Sequence, residues 1–194
     1  VKDQQTATAE IMQLYRDHGH EAYGEGMSQV SHAVQAGLLA RERGYDPEII
    51  LAAFLHDVGH LCPLLTPQAN TARMGELGVQ HHDRLGEDFL RERGCKDRLL
   101  APVRNHVDAK RYLCYAEPGY YDRLSEASKG TLAYQGGPMN AIQAADFAND
   151  PHFEASLRVR RLDEDAKATD LTVTAVHLDY FSVLLTDYLT ASSR

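Results

Sequence analysis

The sequence has no tryptophan and only three cysteines, Cys62, Cys95 and Cys114. An odd thiol count without Cys-x-x-Cys spacing gives no basis for a disulfide framework or a thiolate metal site, so a reducing, cytoplasmic setting is expected. No apolar run approaches the roughly 18 residues that a membrane span needs. The polar opening VKDQQTATAE lacks the apolar stretch of a secretory signal, and none is expected. Basic residues are in the minority, 20 Lys and Arg against 28 Asp and Glu for a formal charge of −8. That balance argues against a nucleic-acid partner, which requires clustered positive charge. Valine-rich alternation is nearly absent, and there is no internal repeat, linker or low-complexity tract.

What is present is ordinary for one globular domain: 194 residues, 43% hydrophobic and 25% charged. The periodicity is helical almost throughout. Ile11, Leu14 and Tyr15 mark a first helix within 6–17, and Ser28 caps a second that runs to Gly44. Asp46-Pro47-Glu48 opens a third, which continues as IILAAFLHDVGH, apolar on nearly all sides and hence buried. Residues 61–71 read as a loop. Helices are predicted over 78–93, 97–105, 106–115, 125–134, 139–149, 151–167 and 173–191. The expectation is a single all-α domain over 1–194, with a metal-binding core at about 23–150 and C-terminal helices over 151–191.

Ten histidines are many for this length, and their placement is informative. His32, the pair His56-Asp57, His82, His106 and Asp146 fall on or at the ends of different predicted helices. Four imidazoles and two carboxylates converging in a helical core form a mixed nitrogen–oxygen site for transition metals. A lone histidine near a helix is more often a surface or satisfied core residue, and an HD dipeptide arises by chance. An aspartate inside an apolar helix is different: unpaired, it would cost several kcal/mol. The Asp57 carboxylate has one oxygen for each of two metals, which an imidazole cannot supply. His81 and His82 are neighbours, and only one of the two is expected to face the metals.

The ordered set H…HD…H…H…D resembles the HD-domain superfamily in its binuclear branch, over roughly residues 23–150. The resemblance implies an all-α helical bundle with a buried pair of metals bridged by Asp57. Within that superfamily, YGEGMSQVSHAVQ (23–35), HDVGH and LSEASKGTLAYQGGP are similar to segments of the mixed-valent di-iron oxygenases that cleave carbon–phosphorus bonds. This implies two iron ions, Fe(II)/Fe(III), with O2 as co-substrate, iron being favoured over zinc because zinc has no redox role, although the ligand set alone would accept manganese, iron or zinc. It also implies a lid formed by Tyr23 and Glu25, and phosphonate contacts from His60, Lys110, Ser128, Thr131 and Gln135. Charge agrees, since a dianionic head group needs cations and donors. Against this stand helix capping for Ser128 and Thr131 and a solvated surface for Lys110.

The expected reaction is O2-dependent cleavage of a small 1-hydroxyphosphonate to phosphate and a carboxylic acid. Tyr112, Tyr115, Tyr120 and Tyr121, interleaved with Glu117 and Asp122, suit a quaternary-ammonium cage. They favour (R)-1-hydroxy-2-(trimethylammonio)ethylphosphonate, giving glycine betaine, over 2-amino-1-hydroxyethylphosphonate, giving glycine. A metal-dependent HD phosphohydrolase is the alternative. Arg158, Arg160, Arg161, Asp163, Glu164 and Asp165 read as a solvated, salt-bridged helix face.

Overall fold

A computed structural model of the chain describes residues 3–22, 26–65 and 72–192. Its first half carries α1 (Gln4–His18), α2 (Gln29–Glu42), α3 (Pro47–Leu55), α4 (His82–Arg91) and α5 (Asp97–Ala116). The second half carries α6 (Tyr120–Arg123), α7 (Glu126–Tyr134), α8 (Ala141–Ala148), α9 (Phe153–Asp165) and α10 (Ala175–Ala191). Two short 3₁₀ turns, Val58–His60 and Cys62–Leu65, follow α3. There is no strand among the described residues beyond two isolated bridges, Ala22 with Ser28 and Arg73 with Val79. No described helix is long and apolar enough to cross a membrane.

The helix starts follow local chemistry. Ser28, Asp46 and Ser125 each accept a backbone N–H from three residues on, and Asn140 forms a reciprocal capping box with Gln143. The all-apolar α3 is the central helix, every residue from Ile49 to Leu55 being buried. It is enclosed by α2, α5, α9 and α10. Phe54 stacks on Phe181 of α10 with ring centroids 4.1 Å apart and meets Tyr15 of α1 at 4.7 Å. Fully burying such a side chain contributes about 1.5–3 kcal/mol. At Gly37 on α2 a Cβ would lie 2.5 Å from the Phe181 ring, so the absence of a side chain there lets α10 close on α3.

Three differences from the sequence reading bear on the site. The predicted pair 97–105 and 106–115 is one helix, α5, which continues through Pro102. Its buried side chains run unbroken from Leu99 through Val103, His106 and Lys110 to Leu113, and packing against α3, α4 and α9 outweighs the missing N–H. The third helix stops at Leu55 instead of continuing through HDVGH. Asp57 takes φ −102° and ψ 8°, between helical and extended backbone, before a 3₁₀ turn. The fourth helix begins at His82, not at 78, after His81 adopts a left-handed φ of 60°. The C-terminal helices are integral to the core, since α9 packs on α5, α2 and α3, and α10 packs on α1 and α3.

Candidate metal centre

The turns around α3 bring six donors together. His32 comes from α2, His56 from the C-terminus of α3 and Asp163 from α9; their donor atoms lie within 4.8 Å of one another. A second triad joins Asp57, His82 at the start of α4 and His106 in α5 within the same limit. All six are buried. Gly59 makes the second triad possible: a Cβ there would sit 1.8 Å from the His82 carbonyl oxygen, so α4 could not approach the segment after α3.

Hydrogen bonds fix the orientation of the four imidazoles. In each ring Nδ1 faces a carbonyl oxygen: Ala166 for His32, Ala53 for His56, Val79 for His82 and Val103 for His106, at 2.7–3.1 Å. A carbonyl only accepts, so Nδ1 carries the proton and Nε2 presents a lone pair. These Nε2 atoms are then opposed in pairs, 3.2 Å apart for His32 and His56 and 3.0 Å for His82 and His106. Two facing lone pairs repel, and a cation between them reverses that energy. Asp57 completes the pattern. Its Oδ1 lies 3.3 Å from His82 Nε2 and 3.4 Å from His106 Nε2, while Oδ2 lies 3.2 Å from His56 Nε2. Asp163 Oδ1 lies 3.2 Å from His32 Nε2. The donor set fits two divalent metal ions, one per triad, with Asp57 facing both.

Electrostatics agree with ionised carboxylates. Burial alone would raise Asp57, but with no metal bound a proton shared onto the facing imidazoles, His56 above all, holds it well below the usual carboxylate range. A metal cation in the place of that proton would act in the same sense. Burial likewise opposes ionisation of Asp163, and Arg160, His32 and His56 overcome it. Arg160 Nη1 donates to Asp163 Oδ2, so that carboxylate is oriented by a buried guanidinium.

A cavity of about 60 Å³ opens over the second triad and Asp163. Its other walls include His60, Lys110, Ser128, Thr131, Gln135 and Arg160. The His60 ring stacks on His82 at 3.9 Å, and its Nδ1 accepts the Val79 N–H at 3.0 Å, which leaves Nε2–H as a donor. Lys110 is buried, and its Nζ donates to Thr131 Oγ1 at 2.8 Å. Thr131 in turn donates to the Ser128 carbonyl, the back-bond weighed against a binding role in the sequence. Gln135 Oε1 and Arg160 Nη2 are buried without a hydrogen-bond partner.

Two expectations are corrected. Asp146 is exposed on α8 and belongs to neither triad, because α8 turns Ala144 and Phe147 inward. Asp163 stands with His32 and His56 instead. A signal for it was present: Ser156, Val159, Arg160 and Asp163 are all buried and recur at helical spacing, so Asp163 lies on the inward register of a segment whose charge suggested solvent. The same signal identifies Arg160. The tyrosine cage does not form at the cavity, which none of its six residues lines. Tyr112 packs on Phe147 and Phe153, while Tyr115, Tyr121 and Asp122 are exposed. Tyr120 is buried, with its hydroxyl shared by Glu164 and Arg160, and Glu117 pairs with Arg123 and Arg161. The proposed lid residues Tyr23 and Glu25 lie outside the described residues.

No family model matches the chain. It is 39% identical over 185 residues to an uncharacterised protein of Acanthamoeba polyphaga mimivirus, covering 95% of this chain and 82% of the relative. It is 37% identical over 159 residues to the [1-hydroxy-2-(trimethylamino)ethyl]phosphonate dioxygenase (glycine-betaine-forming) of Leisingera caerulea, covering 81% of this chain and 79% of that one. It is also 34% identical over 171 residues to the hydroxymethylphosphonate dioxygenase of Gimesia maris, covering 84% and 79% respectively.

Proposed function

The chain belongs to the family of hydroxyphosphonate dioxygenases, and from this premise we propose that it uses O2 to cleave the carbon–phosphorus bond of a small 1-hydroxyphosphonate. The observation that carries the reading is the juxtaposition of two buried His/His/Asp triads with a cavity walled by Lys110 and Arg160. The overall reaction balances: a 1-hydroxyphosphonate plus O2 becomes a carboxylic acid plus inorganic phosphate, with both oxygen atoms retained in the products.

The metals are two iron ions, which supply one-electron exchange with O2 when bound, a role closed to zinc. His32, His56, Asp163 and Asp57 Oδ2 would hold one; His82, His106 and Asp57 Oδ1 would hold the other. Lys110 and Arg160 place positive charge beside the dianionic head group, with donors from Ser128 and His60 Nε2–H. Gln135 borders the same space. Tyr23 and Glu25 keep their assignment as a lid from the sequence resemblance. The relative at 37% identity supports the trimethylammonium compound as substrate and glycine betaine as product; the tyrosine cluster does not.

The test is phosphate release by iron-loaded protein, with and without O2, from three compounds: the trimethylammonium and primary-amine 2-carbon hydroxyphosphonates, and hydroxymethylphosphonate. Release only with O2, from any of the three, is expected. Release without O2 would replace the oxygenase reading with hydrolysis, and the ranking among compounds fixes the tail.

A further inference from the structure

Ser128 and Arg160 line a second cavity besides the one over the triads. This second space measures about 180 Å³ and is also bounded by Arg123, Ser125, Lys167 and Glu164. Its basic and acidic walls are three cations, Arg123, Arg160 and Lys167, against one carboxyl group, Glu164, and the Tyr120 hydroxyl also borders it. Glu164 accepts hydrogen bonds from Tyr120 and Arg160, and Arg123 is held by Glu117. Lys167 Nζ donates to Ser125 Oγ at 3.1 Å. Ser125 is the N-cap of the nine-residue α7, so that helix begins at this cavity. One further observation points to a ligand. Arg160 is 4% exposed, its Nε and Nη1 are committed to Tyr120, Glu164 and Asp163, and its Nη2 has no hydrogen-bond partner. A buried guanidinium nitrogen without an acceptor is costly, and a bound anion would satisfy it.

We propose that this second cavity is an anion subsite that receives the inorganic phosphate released in the first. The inference rests on the phosphonate-cleaving reading, because the reaction generates a tetrahedral dianion against Ser128 and Arg160. Both residues border the two spaces, so phosphate can pass from one to the other while keeping a hydroxyl and a guanidinium as partners. Lys167, Arg123 and the start of α7 then draw it away from the metals, clearing the first cavity for the next substrate.

Calorimetric titration of inorganic phosphate into the metal-loaded protein tests the proposal without requiring turnover. The wild type is expected to bind two phosphates. Lys167→Met should weaken one site about tenfold, the worth of one charge-assisted hydrogen bond. The surface variant Arg123→Met serves as a second probe with little risk to folding. Lys110→Ala should remove the other site. A single wild-type site, lost in Lys110→Ala, would overturn the subsite and leave the phosphonate reading intact. Two sites that both survive Lys167→Met combined with Arg123→Met would also overturn it. Two sites indifferent to Lys110→Ala would instead count against the head-group assignment in the first cavity. In a second arm, hydroxymethylphosphonate should compete at the Lys110-dependent site alone; equally tight filling of the Lys167-dependent site would assign that cavity to incoming phosphonate and overturn the product role.

Discussion

Each triad is two histidines and an aspartate, yet the two sit differently in the fold. His32 and His56 are 0% exposed, and of the first triad only Asp163 reaches the cavity. All three residues of the second triad line it. The first draws on α2, α3 and α9, so its geometry depends on the long-range packing of the whole core. The second joins the short segment after α3 to the start of α4, where Gly59 lets two backbones touch, and takes its third member, His106, from α5. One triad is therefore an internal fixture and the other a wall of the working space. Asp57 belongs to both, with one oxygen directed to each.

The most damaging way to break that comparison is Asp57→Ala, which should lose both metal ions. Metal analysis of the purified variant checks it, and a protein that keeps one ion at full occupancy would remove the bridging role. Next in size, Asp163→Ala should lose the ion at His32 and His56 and abolish turnover, while Asp146→Ala should keep the full metal complement and activity. That pair of variants discriminates two carboxylates that sequence spacing alone had interchanged. Gly59→Ala is the counterpart for the second triad. The added Cβ cannot coexist with the His82 carbonyl, so we expect a loss on the order of 3 kcal/mol in stability and selective loss of the second ion. Thermal unfolding and metal content report the two effects separately.

How much of this was legible in the sequence depends on whether the physics was local. The caps at Ser28, Asp46 and Ser125 are local, and the helices that they open start where the sequence places them. The apolar α3 announced its own burial. His56 and Asp57 stood out because they interrupt an apolar segment, and His32, His82 and His106 joined them through the ordered set of histidines on separate helices. Asp163 did not, because five charged neighbours surround it and only its register with Val159 and Arg160 sets it apart. The tyrosine cluster failed for the opposite reason. Nearness in sequence was read as nearness in space, whereas α5 itself points Tyr112 at Phe147 and Phe153 and Tyr115 at solvent. The segment after Ala116 buries Tyr120 against Glu164 and Arg160 and leaves Tyr121 exposed.

A smaller effect sharpens the difference between the metal floor and the wall of the cavity. Burial, with Arg160 adding to it, pulls the Lys110 ammonium down to about 7. The charged form binds the dianionic head group, so affinity is present below that value and is lost as pH rises through it. KM for the phosphonate should climb above pH 7, by up to about tenfold per unit. Lys110→Arg keeps the charge at all these pH values and should flatten the lysine's share of the profile, while the substrate's own ionisation remains in both proteins. Identical profiles would place Lys110 outside the head-group contacts. Metal content should not change in either case.

The smallest expected effect concerns the tyrosines. A ring in a quaternary-ammonium cage contributes on the order of 1–2 kcal/mol, so removing one would raise KM for the trimethylammonium substrate roughly tenfold. Tyr121 is 46% exposed, with Lys129 above its ring at 5.8 Å, and it does not border the cavity. Tyr121→Ala should therefore leave KM and kcat for that substrate unchanged. Tyr115→Ala should behave alike, since Tyr115 is also half exposed and absent from the cavity wall. A rise in KM for the trimethylammonium compound alone, with hydroxymethylphosphonate unaffected, would restore the cage. It would require the 117–123 segment to fold over the cavity when substrate arrives, against the anchoring of Glu117 by Arg123 and Arg161.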